Sequence, residues 1–162
     1  MSFLTKEPVE RAERFLKDYD PNLMVISLKT SARTAADAAK SLDCEIGAIV
    51  KSLLFSADDD FILCLVSGDK KASLKKLKKS LNISNLEMAK AKDVKEITGY
   101  TIGGVSPVGH LKKINIYIDN SLDRFRYLYA AAGHPNCVFK IDFKNLVQIT
   151  NGLTLDIIEW DS

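Results

Sequence analysis

The sequence predicts an α+β fold: a single domain, 1–162, built on a mixed, mostly antiparallel sheet that can curl toward closure. Three observations predict it. Short apolar runs come in adjacent pairs separated by turn residues, and helical segments are inserted between the pairs. The length of 162 residues, with 46% hydrophobic and 27% charged content, suits one globular domain with a real core. No repeat, low-complexity tract or linker divides the chain.

Each element has its own signal. Glu7–Tyr19 reads as an amphipathic helix, because Val9, Ala12, Phe15, Leu16 and Tyr19 recur at helical spacing. Thr5 is its candidate N-cap, Pro8 suits the first turn, and Asp20-Pro21-Asn22 ends it. Leu23–Leu28 has strand length. Thr34 can cap a second helix, Ala35–Leu42, whose alanines favour helix and allow close packing. Cys44–Gly47 is a turn. Ala48–Phe55 is apolar on both faces, as a buried strand requires, and Phe61–Val66 returns beside it after the turn Asp58-Asp59-Asp60. Ser67-Gly68-Asp69 turns again.

Lys70–Lys79 carries six lysines, with Leu74, Leu77 and Leu81 at helical spacing. Leu86–Ala91 and Asp93–Ile97 read as two helical turns, with Asp93 as cap and Glu96 at the capping-box position of the second. Beyond a glycine-rich loop, Ile114–Ile118 is a strand and Asp119–Phe125 a turn or short helix. Tyr127–Ala132 is a strand closed by Gly133-His134-Pro135-Asn136, and Cys137–Ile141 is another. Asp142 caps Phe143–Ile149, and Thr154–Ile158 is the last strand.

Composition excludes several function classes. A net charge of +2 gives no global field toward nucleic acid, so any basic footprint must be local. Cys44, Cys64 and Cys137 have neither CxxC nor zinc spacing, and only His110 and His134 could join them, so no metal site is expected. Cys64 and Cys137 lie in apolar runs as small hydrophobes, which suits a reducing cytoplasm. No secretory signal is expected at the N-terminus, and no apolar run approaches the ~20 residues that span a bilayer.

Three stretches could carry chemistry. Gly103-Gly104-Val105-Ser106-Pro107-Val108-Gly109-His110 cannot be a regular helix or a central strand. It is either a plain connection or a loop whose backbone N–H groups hold an oxyanion. Lys51 lies in the middle of the apolar run Ala48–Phe55 and shares a strand face with Ile49, Leu53 and Phe55. It either snorkels at an edge or presents a desolvated ammonium to an anionic group. The lysine-rich segment is either a solvated helix face or a phosphate footprint.

Together these stretches resemble a known family. Ala-Arg-Thr (32–34), Val-Lys-Ser-Leu (50–53), Ser-Gly-Asp (67–69), Thr-Gly-Tyr (98–100), Gly-Gly-Val-Ser-Pro-Val-Gly-His (103–110) and Ala-Ala-Gly-His-Pro-Asn (131–136) resemble, in order and spacing, the YbaK/EbsC-like family. That family comprises prolyl-tRNA-editing-type domains related to the insertion domain of bacterial prolyl-tRNA synthetases. The resemblance implies a barrel-like sheet surrounded by helices. It also implies a stand-alone, metal-independent and cofactor-free deacylase. Such an enzyme cleaves the ester between a wrong amino acid and the 3′-terminal adenosine of tRNA. The family's essential lysine falls on Lys51, and its backbone-donor glycine on Gly103 or Gly104, with Gly104 favoured.

The resemblance further places Thr34, Ser52, Gly103, Ser106, Pro107, His110, Gly133 and His134 around the substrate. On the phosphate-footprint reading of the lysine-rich stretch, Lys70, Lys71, Lys75, Lys78 and Lys112 are the tRNA contacts. The implied partners are the aminoacyl-tRNA acceptor end and a synthetase, with no DNA and no membrane. Ser52 stands where the alanine-specific branch has Asn and the cysteine-specific branch Thr, so Ser, Thr, Ala and Cys all stay open as the amino acid removed. A non-catalytic aminoacyl-tRNA or synthetase-binding module, and an esterase or nucleotide binder indifferent to tRNA, are the competing readings.

Overall fold

The backbone of the fold is the hairpin of β2 (Ile49–Ala57) and β3 (Asp60–Ser67), which pair antiparallel from Val50↔Ser67 to Ala57↔Asp60. The computed structural model that shows it describes residues 6–29 and 34–160. A two-residue turn joins the strands, with Asp58 at φ 51 in the left-handed region. Asp58 accepts from the N–H of Asn85 at 2.8 Å, and this ties the tip of the hairpin to β5 (Leu86–Met88).

The main sheet runs β1-β8-β7-β2-β3-β6-β9, with β5 added beside β2. Its other strands are β1 (Val25–Ser27), β6 (Asn115–Asp119), β7 (Leu128–His134), β8 (Cys137–Ile141) and β9 (Leu153–Leu155). The pairs β2/β7, β3/β6 and β6/β9 are parallel, and the rest are antiparallel. A separate ribbon pairs β4 (Lys71–Ala72) with β10 (Ile158–Glu159). This is the mixed, mostly antiparallel sheet expected from the sequence, curled into a half-barrel.

Both faces of the hairpin are covered, as its continuous apolar run requires. Val50, Leu54, Leu63 and Leu65 point into the main core, which α1 (Glu7–Tyr19) enters with Val9, Ala12 and Leu16. Phe55, Ile62, Cys64 and Val66 form a second core with Leu77 of α3 (Leu74–Leu81) and with Ile157 and Ile158. α2 (Ala35–Leu42) lays Ala38 and Ala39 on Ile49 and Val138, where only small side chains fit so close an approach. α4 (Ala91–Thr98) and α5 (Phe143–Thr150) complete the main core through Val94, Ile97, Leu146 and Ile149. Burial pushes the thiol of Cys64 up to about 12 and that of Cys137 up to about 11, as suits packing residues.

Several expectations are corrected. Leu86–Ala91 is not a helical turn: Leu86–Met88 is β5, pairing with Phe55–Ala57. Three residues are too few to display a period, so β2 decides the conformation. Asp93 does not cap α4, which starts at Ala91 with Lys90 as N-cap; Asp93 lies in the first turn, where a carboxylate complements the helix dipole. Thr154–Ile158 is not one strand. It divides into β9 and β10 because buried Asp119 accepts the Ile157 N–H at 2.8 Å and draws the chain out of the sheet. Gly133 and His134, expected in a turn, extend β7 through a bulge. The candidate cap Thr5 lies outside the described residues. Thr34 and Asp142 do cap their helices, accepting from Asp37 N and Asn145 N. Among the described residues no helix is long and apolar enough to cross a membrane.

Asp119 is 1% exposed and also accepts from Ser121 N at 2.9 Å. Asp119→Ala therefore strands two buried N–H groups and should cost about 2–4 kcal/mol in denaturant unfolding. Asp119→Asn, which keeps one acceptor oxygen, should recover part of the loss, and equal losses in the two variants would contradict this account.

Candidate functional site

The site begins as a gap in the sheet. On one edge β2 pairs along its whole length with β3. On the other it pairs with β7 only at Ile49 and Val50, and with β5 only from Phe55 to Ala57. The ladder stops at Val50 and resumes at Phe55, so Lys51–Leu54 present an open strand edge. β7 diverges there because its bulge falls between Ala131 and His134 and because Gly133 (φ +96) lies against the start of α1. A Cβ on Gly133 would come within 2.7 Å of the Pro8 carbonyl.

A cavity of about 360 Å³ fills the gap. Its walls include Leu54, Ala89, Val94, Val105, Tyr129 and Val138, and its rim includes Thr34, Met88, Ile102, Gly103 and Pro135. Lys51 and Ser52 lie on the open edge itself. An apolar chamber with a few polar groups on one strand edge has the makeup of a small-molecule site.

Lys51 is half-buried and donates from Nζ to the carbonyl of Lys70. An ammonium has three donors, so two remain for a ligand. Burial pulls its pKa below the ordinary lysine value; Asp69 opposes this and Lys71 adds to it. The turn that presents the Lys70 carbonyl is itself held. Asp69 accepts from Arg124 at 2.9 Å and from Ser67 Oγ at 2.8 Å, and Arg124 Nε donates to the Ser121 carbonyl at 2.7 Å. Arg124 accordingly holds the Asp69 carboxyl below its ordinary range. Ser52 Oγ is buried and has no hydrogen-bond partner among the described residues, an arrangement that calls for an explanation in any native structure.

The glycine-rich octet divides into two halves with different jobs. Gly103 (φ +92) is exposed at the cavity mouth, and a Cβ there would meet only Pro135 at 3.5 Å. Gly104 is buried. Its N–H donates to the Thr101 carbonyl at 2.9 Å and its C=O accepts from Gly133 at 3.1 Å. A Cβ on Gly104 would press on the His134 backbone at 3.0 Å, so the absent side chain lets two loops lie against each other. The backbone of Gly104 is thus engaged in the fold, and the glycine that faces the cavity is Gly103.

The second half of the octet turns away. Ser106 is fully buried, its Oγ accepting from Val108 N at 3.4 Å. Tyr100 Oη donates to the Val108 carbonyl at 2.7 Å, and Arg11 Nε to that of Gly109 at 2.8 Å. His110 Nε2 bonds the Ser106 carbonyl at 2.6 Å, with its ring edge-on to Tyr100. Pro107, His110, Lys112 and Lys113 line a different cavity of about 560 Å³, bounded by Phe15, Tyr117 and Ile149. His134 lies behind the loop contact, its Nδ1 accepting from Asn136 N at 3.0 Å.

The structure therefore gathers Thr34, Lys51, Ser52 and Gly103 around one cavity. It leaves Ser106, Pro107 and His110 elsewhere, while Gly104, Gly133 and His134 do not line the cavity but pack the loops beside it together. Lys70 itself supplies the carbonyl that Lys51 bonds, and Lys71 follows it in β4. Lys75 and Lys78 are exposed on α3, while Lys112 faces Glu96 at 3.8 Å. Met88 and Ala89 escaped sequence reasoning because β5 was read as helical. Among the described residues no three His, Cys, Asp or Glu side chains gather as a ligand set for a metal ion.

Burial holds the His110 imidazole below its ordinary pKa, and its bond to the Ser106 carbonyl opposes this. As pH falls below about 6.5 the unfolded chain takes up that proton first, so His110 removes stability until pH reaches its folded-state pKa. His110→Gln should consequently gain stability relative to the parent as pH drops from 7 to 5. A pH-independent difference between the two unfolding curves would contradict this placement.

Comparisons with known proteins bear on the chain as a whole rather than on single residues. A family model described as an aminoacyl-tRNA editing domain matches residues 29–149. Proline–tRNA ligase of Caldicellulosiruptor saccharolyticus is 36% identical over 119 residues, 72% of this chain and 19% of the ligase. The chain thus spans about a fifth of the length of the proline–tRNA ligases it matches. EbsC of Enterococcus faecalis, described as a candidate Cys-tRNA(Pro)/Cys-tRNA(Cys) deacylase, is 28% identical over 125 residues, 76% of each chain. The crystal structure of a candidate trans-editing enzyme for prolyl-tRNA synthetase superposes with a TM-score of 0.90 at 34% identity, covering 95% of this chain and 98% of that one.

Proposed function

Because the chain belongs to the aminoacyl-tRNA editing domain family, we propose that it is a deacylase that removes a small amino acid (serine, threonine, alanine or cysteine) from the 3′-terminal adenosine of mischarged tRNA, acting in trans. The observation that carries the reading is the half-buried Lys51 ammonium on the open edge of β2, with donors to spare, facing a largely apolar chamber of about 360 Å³.

The chemistry is ester hydrolysis. Water adds to the ester carbonyl carbon, the carbonyl oxygen takes negative charge, and the bond to the ribose oxygen breaks as that oxygen gains a proton. An aminoacyl ester is already activated, so positioning and oxyanion stabilisation supply much of the rate. In this reading Lys51 Nζ binds the ester carbonyl or the adjoining backbone oxygen of the 3′-end. The N–H of Gly103, at the mouth, takes the donor role that the family resemblance leaves to Gly103 or Gly104 and favours for Gly104, whose N–H is occupied by Thr101. Ser52 and Thr34 contact the amino-acid moiety. The apolar walls sieve by size, which a synthetase pocket cannot do against a smaller competitor by more than about 1–3 kcal/mol. The substrate is cytoplasmic, and the proposal puts the protein there. Its extensive match to a candidate trans-editing enzyme supports action outside a synthetase, with a synthetase as partner.

Purified protein incubated with tRNAs charged with Ser, Thr, Ala, Cys or Pro should deacylate one or two of the small ones and spare Pro-tRNA. Lys51→Ala should lower that rate by about 100-fold or more while circular dichroism and unfolding stay near those of the parent. Bound tRNA with no hydrolysis of any of the five would instead establish a non-catalytic binding module.

The exposed lysines of α3 give a separate test. Replacing Lys75 and Lys78 by Glu should weaken tRNA binding and flatten the dependence of log Kd on log salt by about one unit for each phosphate no longer engaged. An unchanged slope would return that helix to a solvated surface.

A further inference from the structure

We propose that Trp160 is a stacking platform for an unpaired base of the tRNA 3′-end, one of the cytidines preceding the terminal adenosine. The inference rests on the deacylase reading for its ligand but on separate residues for its site.

Trp160 is the chain's one tryptophan. It is 51% exposed at the end of the β4–β10 ribbon, a costly place for so large an apolar ring. The ring is held in place. Lys70 Nζ lies 4.9 Å from the ring centroid. The Asp156 carboxylate accepts from Lys76 Nζ at 2.9 Å, and Trp160 beside it helps to hold the Asp156 carboxyl below its ordinary pKa. β10 itself pairs with β4, Glu159 opposite Lys71. A rigid aromatic ring loses little freedom when a base stacks on it.

Lys70 couples this ring to the cavity. Its carbonyl holds the Lys51 ammonium and its own ammonium covers Trp160, so the two stations are separated by a single residue. If the terminal adenosine brings its ester to Lys51, a neighbouring nucleotide of the same strand reaches the ribbon. The charge there fits a phosphate backbone. Lys70 and Lys71 on the ribbon side, with Lys75 and Lys76 at the start of α3, stand against Asp156, which Lys76 neutralises, and Glu159. An exposed aromatic ring among lysines is the composition of single-strand binding surfaces, and stacking tolerates any base. Such a platform recognises that the 3′-end is unpaired, a feature common to all tRNAs, and leaves discrimination among amino acids to the cavity.

The test uses the emission of Trp160, which no other tryptophan obscures. The full chain is titrated with an RNA minihelix ending in single-stranded CCA and with the same stem made blunt. The CCA minihelix should quench the emission saturably, and the blunt stem should bind with the emission unchanged. In deacylation, Trp160→Ala should raise KM for aminoacyl-tRNA about tenfold with kcat within about twofold, and Trp160→Phe should recover most of the loss. A labelled CCA minihelix that binds by anisotropy while the emission stays constant overturns the proposal, as does an unchanged KM in Trp160→Ala. Quenching by the CCA minihelix with no deacylation of any aminoacyl-tRNA would support the platform and overturn the enzyme reading. Deacylation without quenching would do the reverse.

Discussion

The interrupted ladder on β2 is the constraint on which the site depends. A strand edge inside a domain must pair, meet water or meet a ligand, because unmatched N–H and C=O groups are costly to bury. Here β7 leaves after Val50 and β5 arrives at Phe55. Among the described residues, only the Leu54 carbonyl is seen taken between them, by Ala89 N at 3.0 Å. The cavity, the half-buried position of Lys51 at its edge and the roles of α2 and the glycine loop as walls all follow from that gap. Closing it would give a continuous sheet and no site.

What keeps β7 away from β2 is steric. Gly133 is pressed against the first turn of α1, and Gly104 against His134. Both contacts need a missing side chain, and the Gly133–Gly104 hydrogen bond fixes them together. Arg11 of α1 then reaches the far half of the octet, with its guanidinium 4.6 Å from the Tyr100 ring centroid. The first helix is therefore part of the apparatus that holds the cavity open, although among the described residues none of its side chains lines it.

Electrostatics at the site is built in layers. The ammonium of Lys51 is desolvated and would be costly without a partner; the Lys70 carbonyl supplies one. That carbonyl belongs to a turn in which Ser67 and Asp69, two residues apart, are tied by hydrogen bonds to the distant Arg124. The charge of Asp69 also favours the protonated lysine across the turn. Positioning thus comes from a partly exposed polar network, while the cavity walls remain apolar.

Most secondary structure was legible in the sequence where one local signal dominates. α1, α2 and β8 have the expected bounds, because helical spacing, an N-cap and a continuous apolar run each act over a few residues. The motif Gly103–His110 and the lysine within an apolar strand also stood out. The sequence could not show that half of that motif is structural. The packing of Ser106 and the bonding of His110 depend on Tyr100 and Arg11 approaching from other elements. Nor could three residues at Leu86–Met88 declare themselves a strand before β2 offered its edge. The sequence by itself determined which elements form and which residue types are available for chemistry, since those follow from local sterics and burial. Only the tertiary structure decided that Lys51, Ser52, Thr34 and Gly103 share one cavity and that Gly104 instead packs the loops beside it, because the divergence of β2 and β7 is set by contacts between segments far apart in the chain, Gly133 on Pro8 and Gly104 on His134.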